Sequence, residues 1–209
     1  MSAEFSGIGV VPGRVIAPAL TMPDPVSAPV AKPAPADPEA EANRIREASA
    51  AVHAELRERA ESVTGDARDV LKATALMAKD PTLVKTAIRR LPETDAETAI
   101  WTVAAETAAQ LEKLGGHMAE RAADVLDVRA RLVAHLRGVP APGIPHAAEP
   151  FVLIATDLAP ADTATLDPEL VVGLVCAEGG PQSHTAILAR SLGIPAVVAA
   201  AGVREITDH

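Results

Sequence analysis

The chain has 209 residues, a formal net charge of −9, one cysteine and only three aromatic side chains, Phe5, Trp101 and Phe151. That length suffices for one large or two small domains with real cores, while the acidic balance argues against general nucleic-acid binding, which needs a basic face. Charges, Gly and Pro interrupt every apolar run before membrane-spanning length, and Met1–Phe5 lacks the basic and apolar regions of a signal peptide; a lone cysteine excludes an internal disulfide and suits a reducing cytoplasm.

In chain order, Val10-Val11 and Val15-Ile16 are strand-like with Pro12-Gly13 as a turn signal between them, so residues 5–19 read as a hairpin. Pro23 to Pro38 is rich in Pro and Ala without pattern, and reads as a linker or extended crossing. From Asp37 the character becomes helical. Asp37 can cap, Pro38 suits the first helical position, and Glu39 and Glu41 favour the positive helix end. Ile45, Ala48, Val52 and Leu56, with Val63 beyond, form one apolar stripe on a helix running to about Ser62, where Thr64-Gly65 breaks it.

A second helix runs from about Asp66 to Lys79 with Val70, Leu71, Leu76 and Met77 apolar; Asp80-Pro81 interrupts it, and Thr82 to Leu91 continues it. Thr94-x-x-Glu97 is a capping box ahead of the next helix, which carries Ile100, Val103, Ala104, Ala108 and Leu111 and ends at Gly115-Gly116. The last of the set, about His117 to Leu136, places Val125, Val128, Leu132 and Leu136 on one face, and Gly138 stops it. Read plainly, this is a helical bundle.

Pro140 to Pro150 is again Pro-rich and carries the chain back. Phe151–Ala155 is a strand by composition, and Asp162 or Thr163 can cap a short helix ending near Asp167-Pro168. Leu170 to Cys176 is a buried strand with Cys176 as core packing, and Ala196 to Ala200 is a last strand. Strand, helix, strand, helix, strand implies parallel pairing with helices on the faces.

Between those last two strands lies the stretch with chemistry in it. Gly179-Gly180 lets the backbone turn sharply and approach a bound group. Ser183 is a candidate N-cap that places His184 in the first turn of a helix whose apolar residues are Ile187, Leu188 and Leu192. Free N–H groups and the positive helix end favour an anion there. Neutral imidazole is a nucleophile, and phosphoryl transfer needs a positioned nucleophile and charge stabilisation above all. A histidine in a Gly-rich turn can equally be a plain capping or solvent-facing residue. His53, His117, His135, His146 and His209 are scattered without ligand spacing, and no Cys–His or His–carboxylate cluster suggests a metal.

Gly179-Gly180-Pro181-Gln182-Ser183-His184-Thr185-Ala186-Ile187-Leu188-Ala189-Arg190, followed by Gly193-Ile194-Pro195-Ala196-Val197, resembles the phosphohistidine signature of phosphoenolpyruvate-utilising enzymes. These include Enzyme I of the bacterial sugar phosphotransferase system, pyruvate phosphate dikinase and phosphoenolpyruvate synthase. Further stretches resemble Enzyme I in particular. Residues 5–19 resemble its opening, with Val11 where Ser often precedes Pro-Gly; Glu120 to Leu132 resembles the last long helix of its helical subdomain. Leu76-Met77-x-x-Asp80-Pro81-x-Leu83 is similar to the bent helix pair on which that enzyme docks its protein partner, and Asp157 to Thr163 is similar to the family's Asp-Leu-x-Pro-x-x-Thr turn. The dikinase and the synthase have no such helical insertion.

The resemblance implies an α/β swivelling phosphohistidine domain (residues 1–22 and 147–209) with an inserted all-α helical bundle subdomain (37–138) and Pro-rich connections (23–36 and 139–146) that let the two change relative position. It implies that His184 receives a phosphoryl group from phosphoenolpyruvate and passes it to the histidine-containing phosphocarrier protein. Thr163 would contact the imidazole, Arg190 would help hold the phosphate, and Gly179, Gly180, Ser183 and Thr185 would form the loop and helix start. Leu76, Met77, Leu83 and Arg121 are the candidate carrier contacts. Since the chain stops at His209 in what looks like mid-domain, the C-terminal barrel domain that binds phosphoenolpyruvate and Mg²⁺ is expected beyond it, and this chain itself is expected to hold no cofactor or metal and to be incompetent with phosphoenolpyruvate alone. A cytoplasmic protein follows. The rival readings are a swivelling domain of a dikinase or synthase, and a helical carrier-binding module with a vestigial histidine motif.

Overall fold

The computed structural model describes residues 4–30, 32–62, 65–158, 162 and 166–206, and for residues 62, 65–67, 117, 120 and 184 it describes the backbone alone. The chain divides into two compact units, Met1–Asp24 with Gly143–His209, and Pro25–Pro142.

Among the described residues the second unit holds five helices: α1 (Pro38–Ser62), α2 (Gly65–Ala78), α3 (Pro81–Arg90), α4 (Ala96–Leu114) and α5 (Gly116–Arg137). Their limits follow local chemistry. Asp37 Oδ1 accepts the N–H groups of Glu39 and Ala40, which opens α1. Pro81 offers no N–H, and Asp80 Oδ1 accepts from Thr82 and Leu83 at 2.6 and 3.2 Å, so one helix ends and the next begins at this bend. Left-handed Gly138 (φ +66°) closes α5. The cap of α4 is Asp95 rather than Thr94, which corrects the capping box: the Thr94 N–H still bonds Arg90 in the preceding turn, while Asp95 Oδ1 accepts from Thr98 at 2.9 Å. Glu97 turns instead to Arg137 at 2.9 Å and Lys32 at 3.5 Å.

Ile45, Ala48, Val52 and Leu56 are all buried along α1, and the helical core continues through Ala99, Ile100, Val103 and Leu132. Val63 lies outside the described residues. Alanine at so many contact points lets the helices approach closely, which substitutes for the aromatic bulk the chain lacks. Trp101 is half-buried against this core, with the Arg129 guanidinium 3.7 Å from its ring centre. Part of the segment read as a linker is fastened here too. Val26 packs on the helical core, and Ser27 accepts from Arg137 at 3.4 Å.

Among the described residues the first unit holds a five-stranded sheet of β1 (Ile8–Val11), β2 (Ala19–Thr21), β3 (Phe151–Ala155), β4 (Val171–Cys176) and β5 (Ala196–Val198), in the order β1-β5-β4-β3-β2. Only the β1–β5 pair is antiparallel. The expected hairpin therefore does not form: β1 and β2 are opposite edges of the sheet. Residues between them pass over β5, β4 and β3 in turn. A Cβ on Gly13 would lie 2.4 Å from the Pro195 ring, one on Gly173 would lie 3.6 Å from Val15, and Pro18 accepts the Val152 N–H at 2.8 Å. Ile16, read as a strand residue, is 98% exposed because it points away from the surface being crossed. Ile144, placed by sequence in the returning connection, is buried in this unit's core.

Helix α6 (His184–Leu192) joins β4 to β5, and a single 3₁₀ turn (Val203–Glu205) follows β5. Arg204 on that turn bonds Asp24, Thr156 and the Met22 carbonyl, tying the ends of β2 and β3 to the segment after β5. Removing a charged donor from three acceptors, two of them partly buried, costs more than an ordinary hydrogen bond. Arg204→Ala should lower the stability of the α/β unit by about 1–3 kcal/mol in urea unfolding followed at its backbone amides, with the helical unit unmoved; an unchanged midpoint would show that the arginine is idle.

Candidate functional site

The loop before α6 is built on the ends of β3 and β4. Past Cys176 the two strands stay in register for one more step, with Ala177 N–H on Ala155 O and Glu178 N–H on Thr156 O, both at 2.9 Å. Gly179 then turns the chain at φ +87°, a conformation that a side chain would strain. A Cβ there would also stand 3.3 Å from Ser183 Oγ. Around Gly180 there is open space, so packing does not demand glycine at that position.

Ser183 is extended (φ −65°, ψ 159°) and its Oγ accepts the Ala186 N–H at 3.2 Å, so His184 is the first helical residue. Thr185 is fully buried. Its hydroxyl donates to Asp157 Oδ1 at 2.6 Å and accepts the Leu158 N–H at 3.2 Å, and Asp157 Oδ1 also accepts that N–H at 2.9 Å. Thus the residue before His184 caps the helix, and the residue after it ties the helix to the end of β3. The sequence places Thr185 at the helix start and Asp157 at the head of a separate turn, and does not show that the two, 28 positions apart, are paired.

The helix lies on the sheet through Ala186 and Ala189, both essentially unexposed, with Leu188 half-buried. Ile187 and Leu192 are 55% and 39% exposed, so the buried face differs from the apolar stripe read in the sequence. Small side chains allow close approach to the strands, while Ile187 and Leu192 face outward. Left-handed Gly193 ends the helix. Arg190 is exposed in the last turn, about 9 Å along the axis from His184, and pairs with no carboxylate among the described residues. Thr163 lies outside the described residues. No group of three or more His, Cys, Asp or Glu able to hold a metal ion occurs among the described residues.

Cys176 ends β4 beneath this loop. Burial, then the charge of Asp157, pushes its thiol up to about 12. Because an unfolded thiol ionises near pH 9 and the folded one does not, the unfolded state binds fewer protons across that window. Stability contributed by the neutral thiol is therefore complete below about pH 9 and falls as pH rises toward about 12. Iodoacetamide at about pH 8 should leave the folded chain unmodified and alkylate it on unfolding; alkylation of folded protein at the rate of a free thiol would contradict this burial.

The second set of candidates surrounds the α2–α3 bend. Leu76 is 66% exposed, Met77 is half-buried, and Arg121 is exposed on α5 beside Asp124 at 3.5 Å. Leu83 does not share that exposure: it is 8% exposed and part of the helical core. The Asp80 cap turns it inward, where with Met77, Gln110 and Val125 it lines a cleft of about 440 Å³. Leu83→Ala should cost about 2–5 kcal/mol of stability, and Leu76→Ala less than about 0.5 kcal/mol, in parallel denaturant titrations. Equal effects would mean the two side chains share one environment.

Comparison with known proteins agrees with this geometry. The family model described as "PEP-utilising enzyme, N-terminal" matches residues 6–121, and that described as "PEP-utilising enzyme, mobile domain" matches residues 147–209. These define the class as the phosphoenolpyruvate-utilising enzymes. The phosphoenolpyruvate-protein phosphotransferase of Streptomyces coelicolor A3(2) is 49% identical over 210 residues, covering 100% of this chain and 38% of the relative. That of Bacillus subtilis 168 is 38% identical over 202 residues, covering 93% and 35%. A solution structure of Enzyme I matches with a TM-score of 0.74 at 30% identity, over 98% of this chain and 86% of the other. The chain belongs to the Enzyme I family, the phosphoenolpyruvate-protein phosphotransferases, and spans little more than a third of the length of those two relatives. The resemblance drawn from the sequence motifs holds, as does its fold, an α/β unit with an inserted helical one.

Proposed function

We propose that this chain is the relay portion of a phosphoenolpyruvate-protein phosphotransferase of a sugar phosphotransferase system. In the intact enzyme a neutral His184 ring nitrogen, the one remote from the main chain, attacks the phosphorus of phosphoenolpyruvate. The N–P bond forms as the bond to the enol oxygen breaks, and the released enolate takes up a proton to become pyruvate. The same phosphoryl group then moves to a histidine of the histidine-containing phosphocarrier protein, one N–P bond replacing another. The observation that carries this reading is the start of α6, where His184 is the first helical residue between a capping Ser183 and an anchored Thr185. Helix-end N–H groups and the macrodipole favour an anionic phosphoryl group at that point.

In this reading Thr163 contacts the imidazole and Arg190 helps hold the phosphoryl group. The carrier docks on the helical unit through Leu76, Met77 and Arg121, with Leu83 supporting Met77 from below. The donor set does not fit a divalent metal among the described residues, so no step here runs through one. Phosphoenolpyruvate and Mg²⁺ are assigned to a C-terminal domain of the intact enzyme, and the reaction to the cytoplasm. Among the described residues no helix is long and apolar enough to cross a membrane.

Phosphorylated carrier should label this chain at His184 with an acid-labile group, whereas phosphoenolpyruvate alone should not. His184→Ala should lose all label while its stability changes by less than about 0.5 kcal/mol. Label on the alanine variant would refute the assignment, and robust labelling by phosphoenolpyruvate alone would move the donor site into this chain.

A further inference from the structure

The structure assigns a positioning role to the Asp157–Thr185 pair: we infer that it sets where His184 stands at the head of α6, and through that the rate of phosphoryl transfer. The inference rests on the phosphohistidine reading of His184 above. Thr185 is fully buried, and a buried hydroxyl needs a partner; it has two, both from the single turn after β3. Its bond to the carboxylate, at 2.6 Å, is charge-assisted and short, the strong kind of neutral–ion hydrogen bond. Asp157 is exposed on its outer side, so its charge stays solvated while one oxygen reaches inward.

What makes this more than a packing contact is its place. The loop between β4 and α6 turns at Gly179, and the site of a Gly179 Cβ lies 3.3 Å from Ser183 Oγ and 3.7 Å from Asp157 Oδ1. Cap, carboxylate and turn therefore meet around one glycine. Ser183 Oγ acts within the helix, by taking the Ala186 N–H, and so shapes the first turn without saying where that turn sits on the sheet. Ala186 and Ala189 are buried here with small apolar side chains that make no directional bond. Among the described residues the Thr185 hydroxyl is the side-chain polar link from this helix to another element. It supplies a direction-dependent tether, next to the nucleophile. Proximity catalysis is steep in this coordinate: a displacement on the order of 1 Å can cost about a hundredfold in rate.

The test uses the whole chain, phosphorylated carrier as donor, and the labelling rate per folded molecule. Thr185→Val keeps the volume and removes the hydroxyl; it should slow labelling by about tenfold or more with the label still on His184. Thr185→Ser restores the hydroxyl and should recover the rate to within about threefold. Asp157→Ala attacks the pair from its exposed side and should reproduce the valine effect, and the double variant should lose far less than the product of the two single losses, because both remove the same Thr185–Asp157 bond. A Thr185→Val chain that labels at the normal rate per folded molecule, however much its melting temperature drops, makes the pair merely structural and overturns the proposal. So do multiplying losses in the double variant, or a serine variant as slow as valine. Failure of the underlying reading looks different: the unaltered chain takes no label, or His184→Ala still takes it.

Discussion

The parallel pairing of β2 with β3 is the constraint on which this chain depends. Ala19, Leu20 and Thr21 align with Val152, Leu153 and Ile154, although the whole helical unit lies between them in sequence. Closing so long a loop in an unstructured chain would cost on the order of 4 kcal/mol of entropy before any contact returned it. The helical unit removes most of that cost by bringing its own two ends together. Arg137 at the end of α5 reaches Ser27 in the leading segment, and Lys32 in that segment pairs with Asp95 and Glu97 at the start of α4. Once the helices have folded, the strands meet through a short effective loop. Arg204 then binds residues next to both strand ends.

A second consequence of this arrangement concerns the sheet edges. Had β1 and β2 formed a hairpin, both would lie side by side and the far edge of β5 would be bare. By crossing from one edge to the other, the leading segment covers both with a single short stretch, and β1 supplies the antiparallel partner of β5. Tight contact with Pro195 explains the glycine at position 13 better than a turn does.

Much of this was legible in the sequence, and the errors share a cause. Asp37-Pro38 announced a helix start and Asp80-Pro81 a helix break because both are settled within four residues. The histidine motif was readable for the same reason, since Ser183 caps three residues ahead. What depended on distant partners was not. Val10-Val11 and Val15-Ile16 alternate well enough for a hairpin, and only the rest of the sheet decides otherwise. Leu83 and Leu76 are the same residue type a few positions apart, yet one is core and the other surface, because α4 and α5 cover one side of the bend only. Asp157 and Thr185 lie in separate motifs of the sequence, and the fold pairs them. Even the Thr94–Glu97 box was displaced by a remote claim, as Arg137 and Lys32 take the glutamate.

The packing of Trp101 against Arg129 has an optical consequence. The chain contains one tryptophan and no tyrosine, and that tryptophan belongs to the helical unit. Emission excited near the red edge of the indole band therefore comes from the half of the chain proposed to meet a carrier, and none comes from the half that holds His184. The guanidinium lies over the indole face, so any event that draws Arg129 away alters the environment of the emitter. Nature has in effect labelled one unit and left the other dark, and Phe151→Trp would make the sheet visible as well.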